Sequence, residues 1–193
     1  MSSGSQMILC GPGAMQPTLD ALAERLSELD AWDVLVLDAT AFGAGDPAVR
    51  LGSFLERSED AGAVLAEAGR GEGGGTGHAG GASGAAMWLC GFGEFGPAAV
   101  LCAARDQRVA GAACVGAVGI DEAVIQAASE MVPRPLLVIH GLDDEICPVD
   151  SARVLAHRAG KAGELRVLGG TGHAIHADPR VVALVADWME RSV

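Results

Sequence analysis

Short apolar runs recur along the chain and alternate with longer segments in which apolar residues return every three or four positions. Uninterrupted apolar runs are typical of parallel strands covered on both faces, whereas the wider spacing is typical of helices with one buried face. The pattern therefore predicts about six strands, within residues 7–10, 33–38, 87–90, 109–116, 135–141 and 165–168.

The spaced segments predict helices, with Asp150 as the cap of the fifth and Pro179 at the start of the last. Their ranges are 17–29, 47–68, 98–105, 121–131, 151–159 and 179–191. Strands that alternate with helices form parallel sheets, because each helix carries the chain back across one face of the sheet. The predicted fold is α/β: a doubly wound, mostly parallel sheet of about six strands with helices on both faces.

The segment Gly69–Gly84 interrupts this alternation and consists largely of Gly, Ala, Ser and Thr. Such low-complexity composition is typical of a flexible surface loop. A glycine-rich loop that binds phosphate needs a strand before it and a helix after it, and this segment lacks that order. We therefore expect one domain over residues 1–193, with residues 69–84 as a Gly-rich flexible loop.

The charge of the chain restricts its partners. The formal net charge is -12 at pH 7, and Lys161 is the single lysine. Nucleic acids and anionic membrane surfaces bind proteins through clusters of Lys and Arg, and the sequence contains no such cluster. We expect a small-molecule substrate or ligand, and no nucleic acid or membrane partner.

Cysteine usage and the N-terminal residues bear on the compartment. The five cysteines lie mostly in apolar runs and show no Cys-x-x-Cys spacing, which is typical of small buried side chains in a reducing environment. The first residues lack the basic and apolar regions of a signal peptide. No apolar run approaches the roughly 20 residues of a membrane span. These features predict a cytoplasmic protein.

The loops after the last two predicted strands carry residues suited to acid–base chemistry. Asp143 and Asp144 follow the strand at 135–141, and His173 and His176 follow the strand at 165–168. An acid and a histidine on neighbouring loops can meet above the sheet, where the carboxylate fixes the imidazole tautomer and leaves the other ring nitrogen as a general base. Asp144 and His173 are the preferred pair, with Asp143 and His176 as the alternatives.

These loops resemble those of the α/β-hydrolase family. The acid loop matches the motif Gly-x-x-Asp-x-x-x-Pro, and the histidine loop matches Gly-x-Gly-His. The matching positions are Gly141, Asp144, Pro148, Gly170, Gly172 and His173. The order of strand–turn–helix elbow, acid and histidine along the chain also matches the family. The resemblance implies an α/β-hydrolase-like fold and, because residues 116–135 have room for about one helix, a small member without a lid.

The elbow departs from the family pattern, which is Gly-x-Ser-x-Gly with the serine as nucleophile. The segment from Gly91 to Gly96 reads Gly-Phe-Gly-Glu-Phe-Gly and contains no serine. If Gly91 is the first glycine of the motif, Gly93 takes the nucleophile position. If the helix side of the turn is aligned instead, Glu94 takes that position. A serine acyl-enzyme cannot form at the elbow in either alignment.

The turn after the first strand differs from the family as well. In the family, a backbone N–H just after this strand helps to bind the oxyanion of the reaction. Pro12 stands there and has no N–H, although Gly13 can donate if the loop shifts by one residue. A missing donor costs about 3–4 kcal/mol in acyl transfer. We expect Pro12, Gly13, Gly93 and Phe95 to contact the substrate.

The residues support three functions. The preferred one is an enzyme acting on a small carbonyl or ester-type substrate, in which His173, oriented by Asp144, is the general base and Glu94 an acid–base partner or a nucleophile. The second is a catalytically inactive binding or scaffold protein, and the third an ordinary esterase or thioesterase whose elbow lies elsewhere. No cofactor is expected, and a metal site is disfavoured because His173 and His176 lack further ligands beyond Asp178.

Overall fold

Six parallel strands form a single sheet in the computed structural model, which describes residues 5–29, 32–38, 45–56 and 86–192. The strands are β1 (Ser5–Gly11), β2 (Trp32–Asp38), β3 (Met87–Phe92), β4 (Val109–Val115), β5 (Leu136–Gly141) and β6 (Gly163–Leu168). Their order in the sheet is β2-β1-β3-β4-β5-β6, and every pairing is parallel. The sheet predicted from the apolar runs is therefore confirmed.

Helices cover both faces of the sheet. They are α1 (Gln16–Ser27), α2 (Pro47–Glu56), α3 (Phe95–Arg105), α4 (Glu122–Glu130), α5 (Val149–Arg158) and α6 (Pro179–Ser192). Between β4 and β5, a stretch that is fully described, α4 is the single helix, and it has nine residues. The rest of the helix predicted over 47–68 and the loop predicted over 69–84 lie outside the described residues. No described helix is long and apolar enough to cross a membrane.

The two faces of the sheet have separate hydrophobic cores, because successive side chains of a strand point to opposite faces. In β1, Met7 and Leu9 pack in the layer formed with α1 and α6, while Ile8 and Cys10 pack in the layer formed with helices α2 to α5. All four side chains are buried. Burial on both faces explains why the four inner strands, β1, β3, β4 and β5, contain continuous apolar runs rather than alternating patterns.

Three tryptophans form a cluster in the layer of α1 and α6. Trp88 of β3 packs edge-on between Trp32 of β2 and Trp188 of α6, with ring centroids 5.9 and 5.5 Å apart. Such contacts are favourable because the positive edge of one ring meets the negative face of another. The cluster ties the strand that leads into the elbow to the last helix of the chain.

Two predicted boundaries are corrected. Helix α3 begins at Phe95, so Pro97 lies in its first turn, where a proline is tolerated because the first N–H groups of a helix lack partners within it. Asp150 does not cap α5, since the cap position is Pro148. Instead, Asp150 lies in the first turn, and its carboxylate is 2.7 Å from Nη1 of Arg153.

The strand order places the ends of β1 and β3 side by side, as the second and third strands of the sheet. From β1 the chain proceeds to β2 in one direction, and from β3 it proceeds to β6 in the other. Ligands of such sheets bind where this direction reverses, beyond the carboxyl ends of the strands. Pro12 follows β1 and Gly93 follows β3, while Asp144 and His173 follow β5 and β6 at the same edge.

Candidate active site

Asp144 lies in the loop after β5 and is buried, with 6% of its surface exposed. Its Oδ1 accepts hydrogen bonds from the N–H groups of Ile146 and Cys147, at 2.9 and 2.8 Å. Burial by itself raises the pKa of the Asp144 carboxyl, but the Cys147 N–H, the His173 ring and the Ile146 N–H together hold that pKa below its usual value. The loop therefore holds Asp144 as an anion, with Oδ2 directed to another partner.

That partner is His173, in the loop after β6. Its Nδ1 lies 3.1 Å from Asp144 Oδ2, and the imidazole is partly open to solvent, with 41% of the side chain exposed. An ionised carboxylate only accepts hydrogen bonds, so Nδ1 carries the proton and donates it. The other ring nitrogen, Nε2, then has a lone pair and can take a proton from a substrate or a water. The structure thus brings together the acid and the histidine preferred from the sequence.

Asp143, the alternative acid, has a different task. Its Oδ2 accepts a hydrogen bond from the Gly170 N–H at 2.8 Å, and its own N–H donates to the Thr171 carbonyl at 3.0 Å. These bonds join the acid loop to the histidine loop. The loops approach so closely that a Cβ at Gly141 would lie 2.5 Å from the Thr171 oxygen. Asp143 therefore holds the two loops in register, whereas Asp144 meets the imidazole.

His176, the alternative histidine, lies beside the pair rather than in it. Its carbonyl accepts a hydrogen bond from the Thr18 hydroxyl at 2.8 Å, which ties the histidine loop to the start of α1. Burial lowers the pKa of His176, and the charge of His173 lowers it further. Its ring Nδ1 is buried and has no hydrogen-bond partner among the described residues. His176 is thus a neutral second imidazole next to His173.

The elbow has its apex at Gly93. Gly93 has a φ of 59°, in the left-handed region that the nucleophile turn requires and that glycine adopts without a steric penalty. Glu94, by contrast, has an ordinary helical φ of -66°. A Cβ at Gly91 would collide with the Phe95 carbonyl at the start of α3. This geometry corresponds to the alignment in which Gly91 is the first glycine of the motif and Gly93 stands at the nucleophile position.

The space that a side chain at Gly93 would occupy faces the turn after β1. A Cβ there would lie 3.2 Å from Met15 Cε and 3.7 Å from Pro12 Cγ. The structure thus brings Pro12 next to the apex, and Gly13 follows it as an exposed residue. Met15 was not anticipated from the sequence, although its place three residues after Pro12 in the same turn made it a candidate. Its flexible thioether covers the position where a nucleophile would stand.

Glu94 and Phe95 form no hydrogen bond or ion pair with Asp144 or His173. The Glu94 side chain is exposed, and it forms no hydrogen bond or ion pair within the described ranges. The Phe95 ring is fully buried in the core formed with helices α2 to α5, and the guanidinium carbon of Arg50 lies 5.1 Å from its centre. The structure therefore places the Glu94 carboxylate at the rim of the site and the Phe95 ring away from its surface.

Comparison with known proteins identifies the fold. No family model and no curated protein matches the chain by sequence. Among solved structures, a predicted CIB-like hydrolase from Thermoplasma acidophilum matches with a TM-score of 0.72 and 14% identity, over 98% of this chain and 88% of that one. Est1E from Butyrivibrio proteoclasticus matches with a TM-score of 0.70 and 13% identity, over 98% and 89%.

A putative hydrolase of the alpha/beta superfamily from Xanthomonas campestris pv. campestris matches with a TM-score of 0.68 and 18% identity, over 98% of this chain and 99% of that one. The described chain therefore has the α/β-hydrolase fold. The nearly complete coverage of both chains means that the similarity extends over the whole sheet rather than over one motif.

Proposed function

We propose that this chain is a hydrolase-fold enzyme in which His173 acts as general base on a water molecule that attacks a small ester-type or other carbonyl substrate. The proposal rests on the 3.1 Å hydrogen bond between His173 Nδ1 and Asp144 Oδ2, at the edge of the sheet where ligands bind in such folds. A carboxylate-bound imidazole with a free ring nitrogen is the arrangement that removes a proton from a hydroxyl group or a water.

The glycine at the apex of the elbow determines the course of the proposed reaction. Because Gly93 has no side chain, a water takes the place of a serine hydroxyl and attacks the carbonyl carbon directly. His173 Nε2 removes one proton from this water as the new carbon–oxygen bond forms. His173 then gives the proton to the leaving alkoxide as the ester bond breaks. The products are a carboxylic acid and an alcohol, and no acyl-enzyme forms.

The turn after β1 limits the substrates that fit this proposal. Pro12 has no N–H to offer a developing oxyanion, so the proposal assigns this role to the N–H groups of Gly13 and Glu94, which follow Pro12 and Gly93 in the chain. The loss of one donor raises the barrier by about 3–4 kcal/mol. Substrates with good leaving groups, such as aryl esters, thioesters and strained lactones, are therefore favoured.

Exposed apolar side chains near the site favour a substrate with an apolar portion. The Val118 N–H donates to the Gly93 carbonyl at 3.2 Å, and the Ile146 N–H donates to Asp144 Oδ1. Both side chains are exposed, with 37% and 69% of their surface accessible. Small-molecule sites are lined mainly by apolar side chains around a few polar groups, so we assign Val118 and Ile146 to contacts with the apolar portion of the substrate.

Glu94 takes a secondary role in the proposal. Its carboxylate is exposed at the rim next to Gly93, so it can orient the attacking water or accept a proton from it. Because no described residue holds it in place, its contribution is smaller than that of His173, which Asp144 orients.

The test compares His173→Ala with His157→Ala on a panel of aryl esters, thioesters and lactones. His157 is also exposed, but it lies in the last turn of α5, so it controls for the loss of a surface imidazole. We expect His173→Ala to lower kcat/KM by about 10²–10⁴-fold, the contribution of a general base, and His157→Ala to leave it unchanged. Equal activity of the two variants would contradict the proposal.

A catalytically inactive binding protein is the second candidate, and the absence of a side chain at Gly93 together with the proline at position 12 favours it. In that case the wild-type protein turns over no member of the panel, while a non-hydrolysable analogue, such as a methyl ketone, still shifts the NMR signals of the His173 ring. An ordinary serine esterase is distinguished by stoichiometric labelling of the wild-type chain with a fluorophosphonate, which our proposal does not predict.

A further inference from the structure

The His140 side chain is a buried ionisable group next to the site that the proposed reaction does not use. It lies near the end of β5 and has 1% of its surface exposed. Its Nε2 is 2.6 Å from the Cys147 carbonyl oxygen, which only accepts hydrogen bonds, so Nε2 carries the ring proton. Its Nδ1 is buried and has no hydrogen-bond partner among the described residues.

An imidazole at this position is not explained by packing alone. A leucine would fill a similar volume without leaving a ring nitrogen unpaired, and a buried unpaired nitrogen opposes folding. The bond from Nε2 to Cys147 is therefore the feature of His140 that offsets this cost. The same Nε2 also lies 3.5 Å from Asp144 Oδ2, the oxygen that accepts the hydrogen bond from His173.

Cys147 connects His140 to the acid–histidine pair through its backbone. The Cys147 N–H donates to Asp144 Oδ1 at 2.8 Å, while the carbonyl of the same residue accepts the bond from His140. His140 belongs to a central strand that pairs with β4 and β6, so its position is rigid. The residues between β5 and α5 form turns and bends without regular structure. The bond from His140 thus joins the Cys147 end of this loop to a strand, whereas the bonds from Asp143 join the loop to the histidine loop.

We propose that His140 is a positioning residue: by holding the Cys147 carbonyl, it fixes the N–H that binds Asp144 Oδ1 and leaves Oδ2 directed at His173. The proposal rests on the function proposed above only for its effect on turnover. Its effect on the His173 ring requires no substrate.

The experiment compares His140→Leu, which removes the donor at similar volume, with His140→Gln, whose side-chain amide can place an N–H near the position of Nε2. In the substrate-free protein, we expect the His173 Nδ1–H signal in NMR to persist in the wild type and in His140→Gln, and to be lost by exchange with water in His140→Leu. Thermal unfolding establishes that each variant is folded. A folded His140→Leu protein that keeps this signal would overturn the proposal.

Turnover supplies the second measurement. We expect His140→Leu to lower kcat by roughly 10–100-fold, as the loss of a group that orients a catalytic side chain does, with little change in KM and with recovery in His140→Gln. If His140→Leu raises KM and leaves kcat unchanged, the result contradicts the role of His140 as a positioning residue. If the wild type turns over no substrate, the proposed function fails, while the NMR signal still decides the role of His140.

A folding failure of His140→Leu leaves the comparison of His140→Gln with His140→Asn. Both variants keep an amide, but the shorter asparagine cannot bring its N–H to the Cys147 carbonyl. The His173 signal is expected in His140→Gln and not in His140→Asn. The same result in both variants would overturn the proposal.

Discussion

The carboxyl edge of the sheet has two halves that differ in the catalytic side chains they contain. On the side of β5 and β6, Asp144 and His173 are joined by a hydrogen bond, and the loops around them are tied by bonds from Asp143. On the side of β1 and β3, the elbow has the sharp backbone turn, but Gly93 and Pro12 supply neither a nucleophile nor a first oxyanion donor. The backbone shape of a nucleophile turn is therefore independent of the side chain it usually carries.

The difference has a physical basis in backbone strain. A residue other than glycine held at positive φ costs about 1–2 kcal/mol, so a serine at the apex is maintained at the expense of stability. Gly93 adopts a φ of 59° without that cost. The loops that carry Asp144 and His173 are instead stabilised by the bonds that orient these side chains. Substitutions in one half at a time therefore separate the contributions of the two halves.

The largest effect is expected for Asp144→Asn. An amide in place of the carboxylate no longer fixes the protonated Nδ1 of His173, so the imidazole loses its orientation and its tautomer. We expect kcat/KM to fall by about 10³–10⁴-fold, the scale known for such a change in a catalytic triad. Asp143→Asn is the matched control, because its side-chain oxygen can still accept the Gly170 N–H, and we expect a loss below about tenfold. Equal losses in a steady-state assay would contradict this assignment.

The second prediction tests the glycine half with Gly93→Ser. The serine is held at positive φ, so the free energy of unfolding should fall by about 1–2 kcal/mol, while Met15 shifts its flexible end to make room. We expect the new hydroxyl to react stoichiometrically with a fluorophosphonate, as read by intact mass. The double variant Gly93→Ser/His173→Ala should not react. Labelling that persists without His173 would show that the two halves do not face one another.

A smaller effect is expected for Glu94→Gln. As an exposed carboxylate that no described residue holds, Glu94 should change kcat by about tenfold or less, below the range of an oriented general acid or base. Glu130→Gln, at the last position of α4, controls for the loss of one surface charge. A loss beyond about 100-fold would move Glu94 from the rim into the centre of the chemistry.

The smallest effect is expected in the pH dependence of stability. Because the pKa of Asp144 is lowered in the folded chain, its ionised form stabilises the fold above the unfolded pKa of about 3.9. That contribution is lost as the pH falls through the folded-state pKa. The difference in unfolding free energy between the wild type and Asp144→Asn should therefore shrink below about pH 4. Urea titrations followed by circular dichroism measure it, and a difference that is constant with pH contradicts the prediction.

The fold could be predicted because its four inner strands, β1, β3, β4 and β5, are buried on both faces and therefore contain unbroken apolar runs. The ends of helices were harder to predict. Asp150 has a side chain that is typical of a helix cap, but its carboxylate pairs with Arg153. The loops that carry Asp144 and His173 were found because motif spacing places them after neighbouring strands. Motif spacing does not determine the backbone φ angle, and it is this angle that identifies Gly93 rather than Glu94 as the apex of the elbow.

Contacts between distant residues were also beyond the sequence. Met15 and Gly93 are adjacent only because β1 and β3 pair in the sheet. The sequence pattern around either residue therefore does not predict contact with the other. His140 reads as one more buried residue of a strand until the loop folds back and brings the Cys147 carbonyl to its ring. Such links arise from the register of the sheet, which no single segment specifies.

The tryptophan cluster gives the molecule a built-in optical reporter. All three tryptophans of the chain belong to the layer of α1 and α6, and the layer of helices α2 to α5 contains none among its described residues. Indole emission therefore follows the loosening of one side of the sheet, whereas far-UV circular dichroism follows the helices of both. A variant or ligand that changes the circular dichroism signal without changing the tryptophan emission acts on the side of the sheet opposite the indoles. Two spectra of one sample therefore locate a perturbation on one side of the fold.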